Sequence, residues 1–126
     1  MLSGLCFGTN DLAAAAKFYD SILSTLGLVR VMQNDTEVGY GHFGEDGQFW
    51  VLKPFDKQAA TSGNGTQAMF FATSTDQVDA FHDMALSLGG KDEGAPGPRN
   101  YSPGYYGAYC RDLDGNKLHV YTVQKE

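Results

Sequence analysis

The sequence predicts an α+β fold made of two tandem βαβββ modules. Two observations predict it: one order of elements occurs twice along the 126 residues, and identical residues recur at a fixed distance between the copies. Setting Gly4 against Gln67, an offset of 63, makes Phe7/Phe70, Phe18/Phe81, Asp20/Asp83, Leu23/Leu86, Ser24/Ser87 and Gly27/Gly90 identical. Later in each copy the offset becomes 68, pairing Gly39/Gly107, Asp46/Asp114 and Gly47/Gly115. A Pro/Gly-rich stretch in the second copy, APGPRNYSPG, absorbs the difference. Residues 1–54 form the first module, 55–64 a linker and 65–126 the second module, together one domain.

The elements follow in order. Residues 2–9 (LSGLCFGT) read as an apolar strand, and Asn10 and Asp11 supply helix N-cap chemistry. Leu12, Ala15, Tyr19, Ile22, Leu23 and Leu26 fall on one helical stripe, which Gly27 stops. LVRVMQ, VGYGHF and QFWVLKP are strand-like runs separated by turns at Asn34-Asp35 and Glu45-Asp46-Gly47. After the polar run FDKQAATSGN, GTQAMFFAT repeats the first strand. Ser74 with Gln77 is a capping-box signature, and Val78, Phe81, Ala85 and Leu88 form the apolar face of a helix ending at Gly89-Gly90. Lys91 to Glu93 reads as a short strand before the Pro/Gly-rich loop. YYGAYC and NKLHVYTV then flank the turn Asp112-Leu113-Asp114-Gly115.

Composition narrows the function classes. With 42% hydrophobic residues and 19% charged ones, the chain can bury a core without staples. A net charge of −6 and the lack of a basic patch argue against nucleic acid. No apolar run reaches membrane-span length, and no charged segment followed by an apolar stretch opens the chain, so no membrane partner is expected. Cys6 and Cys110 have no metal-type spacing and form no disulfide framework, which predicts a reduced, cytoplasmic protein.

Through GTNDLAAAAKFYDSILSTLGL, GTQAMFFATSTDQVDAFHDMALSLGG and PGPRNYSPGYYGAYCRDLDGNKLHVY the chain resembles the vicinal oxygen chelate superfamily of glyoxalase I, bleomycin-resistance and fosfomycin-resistance proteins and extradiol dioxygenases. The resemblance covers nearly the whole chain. It rests on the order and spacing of the motifs, since RDLDGN alone is only a hairpin turn. It implies a glyoxalase-like fold in which curved mixed sheets form a cleft, a homodimer, and in the metal enzymes a divalent ion held by His, Gln or Glu from the first and last strands of each module. Carried over one by one, those positions are Gly4, Val51, Gln67 and His119. Gly4 and Val51 have no side-chain donor. Gln67 and His119 alone are fewer than the three or four protein ligands such sites use. The metal site therefore reads as degenerate and no cofactor is expected. The open alternative is a divalent Zn, Ni, Mn or Fe, with His42 or a donor from a second copy as a third ligand.

Strand alternation gives the expected wall of the cleft. Gln67, Met69 and Phe71 share one face, with Ala68 and Phe70 on the helix side. The same parity assigns Gly4, Cys6 and Gly8, then Phe49, Val51 and Lys53, then Lys117, His119 and Tyr121 to the cleft. Trp50 is placed in the helix-packed core. Arg99, Tyr101 and Tyr105 come from the long loop of the second module, Arg99 either meeting a ligand anion or closing its own loop. Cys6 reads as a small apolar filler, His82 as a solvated helix-flank residue, and the face of His42 is open. Mainly apolar and aromatic walls with a few polar groups suit a small, partly aromatic organic ligand. Three functions fit: a glyoxalase-like lyase if a metal binds, a metal-free drug- or metabolite-sequestering protein of the bleomycin-resistance type, and a non-catalytic accessory module.

Overall fold

The computed structural model describes residues 1–125. Each half of the chain is a four-stranded mixed sheet with one helix on its inner face. The first comprises β1 (Leu5–Gly8), α1 (Leu12–Ser24), β2 (Val29–Gln33), β3 (Glu37–Gly41) and β4 (Phe49–Leu52), in sheet order β1-β4-β3-β2. The second comprises β5 (Gln67–Phe71), α2 (Thr75–Ser87), β6 (Lys91–Pro98), β7 (Tyr105–Arg111) and β8 (Lys117–Val123), in order β5-β8-β7-β6. In both sheets the first and last strands run parallel and the other pairs antiparallel, as the βα crossover and the hairpins require. No helix is long and apolar enough to cross a membrane.

Local chemistry sets the helix ends. Asp11 caps α1, its side chain accepting from the Ala14 amide, and Ser74 caps α2 by accepting from Gln77 N. The Gln77 side chain reaches back one residue further than a capping box does, to Thr73 N. Gly27 takes a φ of 78°, the left-handed stop that closes α1. Strand β6 corrects one expectation. It runs eight residues instead of ending at Glu93, because its pairing with β7 shifts register at Asp92/Gly94 and again at Gly94/Gly97. Those bulges carry the glycines and Pro96 without breaking the edge strand.

The two halves share one core. Phe49 of β4 meets Phe70 of β5 edge-on, 5.3 Å between ring centroids, and Phe70 continues to Phe81 of α2. Tyr19, Ile22 and Leu23 of α1 are fully buried, as are Val78, Phe81 and Ala85 of α2. Leu88, expected on that face, lies past the end of α2 and is exposed. His82 is also corrected. It is buried, because β6 lies along α2 and places Asp92 2.9 Å from its Nε2.

A polar clasp closes this core. The buried Asp112 carboxylate, in the β7–β8 turn, accepts from Tyr19 Oη on α1, from Asn116 Nδ2 and from the Asn116 and Asp114 amides. Asn116 Nδ2 also donates to the Gly8 carbonyl of β1, while Asp114 accepts from Thr9 Oγ1 and Asn10 N. Burial holds the Asp112 carboxyl above the usual carboxylate range, and burial beside Asp112 pushes the Tyr19 phenol well up. Asp112→Ala would strand these donors in the core, at a cost of about 3 kcal/mol. Thermal unfolding is the measurement. A loss no larger than that from Asp83→Ala, on the exposed side of α2, would refute the clasp.

Candidate functional site

The open face of the second sheet is a registered lattice. One row holds Gln67, Lys117 and Arg111; the next holds Met69, His119 and Tyr109; the third holds Phe71, Tyr121 and Gly107. Tyr105 extends it opposite Val123. This alternation is as expected for β5 and β8, with Ala68, Leu118 and Val120 buried beneath. Tyr105, His119 and Tyr121 have nearly parallel rings, at most 9° apart, with centroids 5.0 to 5.9 Å from one another. Tyr101 packs edge-on against Tyr105, and Phe71 edge-on against Tyr121. Tyr101, Met69 and Phe71 are exposed, whereas His119 is 1% exposed.

His119 is held by chemistry that specifies its tautomer. Nδ1 lies 3.2 Å from the Ala108 carbonyl, which can only accept, so Nδ1 carries the proton. Nε2 is then the lone-pair nitrogen and accepts from Tyr105 Oη at 2.7 Å. Burial lowers the imidazole below its ordinary 6.5; the Ala108 bond opposes this, and Arg99 and Lys117 add to it. Gly107 makes the arrangement possible. A Cβ there would lie 3.0 Å from His119 Cε1 and 3.1 Å from the Val120 carbonyl oxygen. Tyr109 stacks on His119 at 4.1 Å; burial first, then its bond with Tyr101 Oη, pushes its phenol up to about 12. Arg99 closes its own loop on the Ala95, Gly97 and Pro98 carbonyls, and its guanidinium sits 5.7 Å over the Tyr109 ring.

In the first sheet the expected parity of β4 is corrected. Cys6 registers with Trp50 and Phe7 with Val51, so Trp50 shares the open face with Cys6. Phe49 and Val51 point into the core, where Phe49 packs against Phe7, Tyr19 and Phe70. Trp50, expected in the core, lies flat on glycines: a Cβ at Gly39 or Gly47 would come within 2.5 or 2.7 Å of its ring. A cavity of about 940 Å3 opens between the halves, bordered by Gly4, Trp50, Gln67 and Met69 and also by the otherwise core-packed Phe49. The exposed Cys6 thiol is pushed up by partial desolvation and by Glu37, which makes it a poor nucleophile. His42 is exposed at the β3–β4 turn, away from the other predicted wall residues in register.

The register also moves one of the four metal positions. Cys6 pairs with Trp50 as Met69 pairs with His119, so Trp50 and not Val51 matches His119. Trp50 has no metal-binding atom. Gln67 is exposed beside Lys117, but both His119 nitrogens are engaged. Among the described residues no group of three or more His, Cys, Asp or Glu is placed to hold a metal ion. The residues present do not fit the chelate.

Comparison with known proteins accounts for the repeat. The glyoxalase/bleomycin resistance protein/dioxygenase superfamily model matches residues 3–120. The chain belongs to this superfamily. A crystal structure of a glyoxalase/bleomycin resistance protein from Albidiferax ferrireducens T118 is 39% identical, with a TM-score of 0.86 over 95% of this chain and 96% of that one. A glyoxalase/bleomycin resistance protein/dioxygenase family enzyme from Burkholderia phytofirmans PsJN shares the fold at 19% identity and a TM-score of 0.74, each chain 98% covered. So does a lactoylglutathione lyase from Agrobacterium tumefaciens, at 19% identity and 0.65, over 97% and 92% of the two chains. Comparison with curated proteins gives no match. Within this glyoxalase-superfamily chain the chelate positions are degenerate, and Tyr109 and Trp50 are the wall residues that sequence reasoning missed. Glycines facing each aromatic across the sheet were the available signal.

Two predictions follow from the lattice. Gly107→Ala is expected to cost about 1–3 kcal/mol and to dislodge the His119 ring from Tyr105, seen as a shift of its ring resonances. An unshifted ring would overturn the seat assigned to Gly107. His119 is depressed in the fold, so the unfolded chain takes up its proton first as pH falls. The stability this neutral imidazole confers is complete above about pH 6.5 and declines below it. Wild-type protein should therefore lose more Tm than His119→Gln between about pH 7 and pH 5.

Proposed function

We propose that this glyoxalase-superfamily protein binds a small, partly aromatic organic molecule in the cleft between its two modules, without the four-ligand metal chelate. The spent nitrogens of His119 are the observation that carries this reading: Nδ1 is on a backbone carbonyl and Nε2 on Tyr105, leaving no lone pair for a metal. Gly4 and Trp50 leave half the chelate positions empty of donors. The aromatic lattice and the inter-module cavity favour sequestration of a metabolite or drug-like compound, in the manner of bleomycin-resistance proteins.

A lyase acting through a divalent metal is the second reading. It draws on the fold shared with a lactoylglutathione lyase and would need His119 to release Tyr105. The resemblance also supports a homodimer, which would cover exposed Met69 and Phe71.

Metal analysis of the purified protein decides between the readings. The expected outcome is no stoichiometric divalent ion. A one-to-one ion lost in both Gln67→Ala and His119→Ala would reverse the conclusion. Sedimentation tests the assembly, with a dimer of the 13.7 kDa chain expected at micromolar concentration.

A further inference from the structure

The open face of the second sheet carries two cations, Lys117 and Arg99, outside any direct ion pair, although Glu93 on Arg111 also feels Lys117. Lys117 Nζ lies 5.1 Å and Arg99 Cζ 5.7 Å from the Tyr109 ring centroid. Among the described residues neither forms a salt bridge, whereas Arg111 in the same row is paired with Glu93. Arg99 is fixed by carbonyl oxygens, which hold its position and leave its charge. The same two cations act on His119. A chain of net charge −6 thus presents a local positive field beside three parallel aromatic rings.

Tyr105 adds a direction. Its hydroxyl proton is committed to His119, so toward a ligand on this face its oxygen offers lone pairs only. The rings of Tyr105 and Tyr121, 2° apart, favour a flat partner aligned with them, and the cations at the Tyr109 end favour negative charge on that partner. We infer that the ligand is a planar aromatic carboxylate, its ring packed parallel to the Tyr105–Tyr121 stack and its carboxylate turned toward Lys117 and Arg99. This rests on the small-molecule reading above and specifies the ligand's charge and its place on the second sheet. The charge is what the apolar walls alone leave undetermined.

The test is an NMR titration of the full chain with three probes: 2-naphthoate, its neutral amide 2-naphthamide, and cyclohexanecarboxylate. Naphthoate is expected to bind best and to shift Tyr105, Tyr121 and Lys117 resonances, with affinity falling as salt rises. Lys117→Gln should weaken naphthoate by up to about fivefold and leave the amide unchanged. Tyr121→Leu, which keeps an apolar side chain, should weaken both aromatic probes. Equal binding of naphthoate and naphthamide, or indifference to Lys117→Gln, would overturn the carboxylate inference while leaving an aromatic ligand in place. Shifts confined to Trp50 and Gly4 would overturn its location. Failure of both aromatic probes to shift any cleft resonance would overturn the small-molecule reading as well.

Discussion

One buried carboxylate joins the two halves of this protein. Asp112 sits in a hairpin turn of the second module, yet its partners lie on α1 and, through Asn116, on β1. The core runs from Phe7 through Phe49 and Phe70 to Phe81, and its Phe49–Phe70 contact exists only when the modules dock. A polar group at such a seam is costly unless every donor and acceptor finds its counterpart. Asp112 receives four hydrogen bonds, and no buried side-chain nitrogen or oxygen among the described residues lacks a partner. The clasp thereby ties together the two halves whose β1 and β5 border the same cavity.

From that geometry the modules diverge in chemistry while keeping their topology. Where the first sheet seats an indole on Gly39 and Gly47, the second seats an imidazole over Gly107. The exchange of Trp50 for His119 removes a donor from one side. On the other side the Tyr105 hydroxyl and the Ala108 carbonyl occupy both imidazole nitrogens. The aromatic lattice thus occupies the two nitrogens through which His119 would chelate.

Much of the fold was legible because the repeat, the caps and the turn residues are local signals. Asp11, Ser74 and Gly27 act where their chemistry predicts. Strands β5 and β8 alternate cleanly enough for Met69, Phe71, His119 and Tyr121 to be placed on the open face. Strand β4 was not legible in that way. FWVL is apolar at every position, so alternation gives no parity, and an offset of 68 set by the turn residues assigns the wrong face. The register of Cys6 with Trp50 makes the offset 69, from Trp50 to His119. A slip of one residue reverses every side chain in a strand, which moved Phe49 and Val51 into the core and Trp50 out of it. His82 failed for a different reason: its partner Asp92 lies within the expected strand Lys91 to Glu93, but no local pattern says that this strand lies along α2.

Residue chemistry along the chain determined the tandem modules, the helix limits and the absence of donors at Gly4, since those follow from neighbours a few positions apart. Tertiary structure alone decided that the RDLDGN turn is an inter-module clasp. It also decided that Trp50 faces the opening, and that His119 gives its lone pair to Tyr105. Each of these depends on contacts between residues far apart in sequence, brought together by strand register and module docking. No local pattern encodes them.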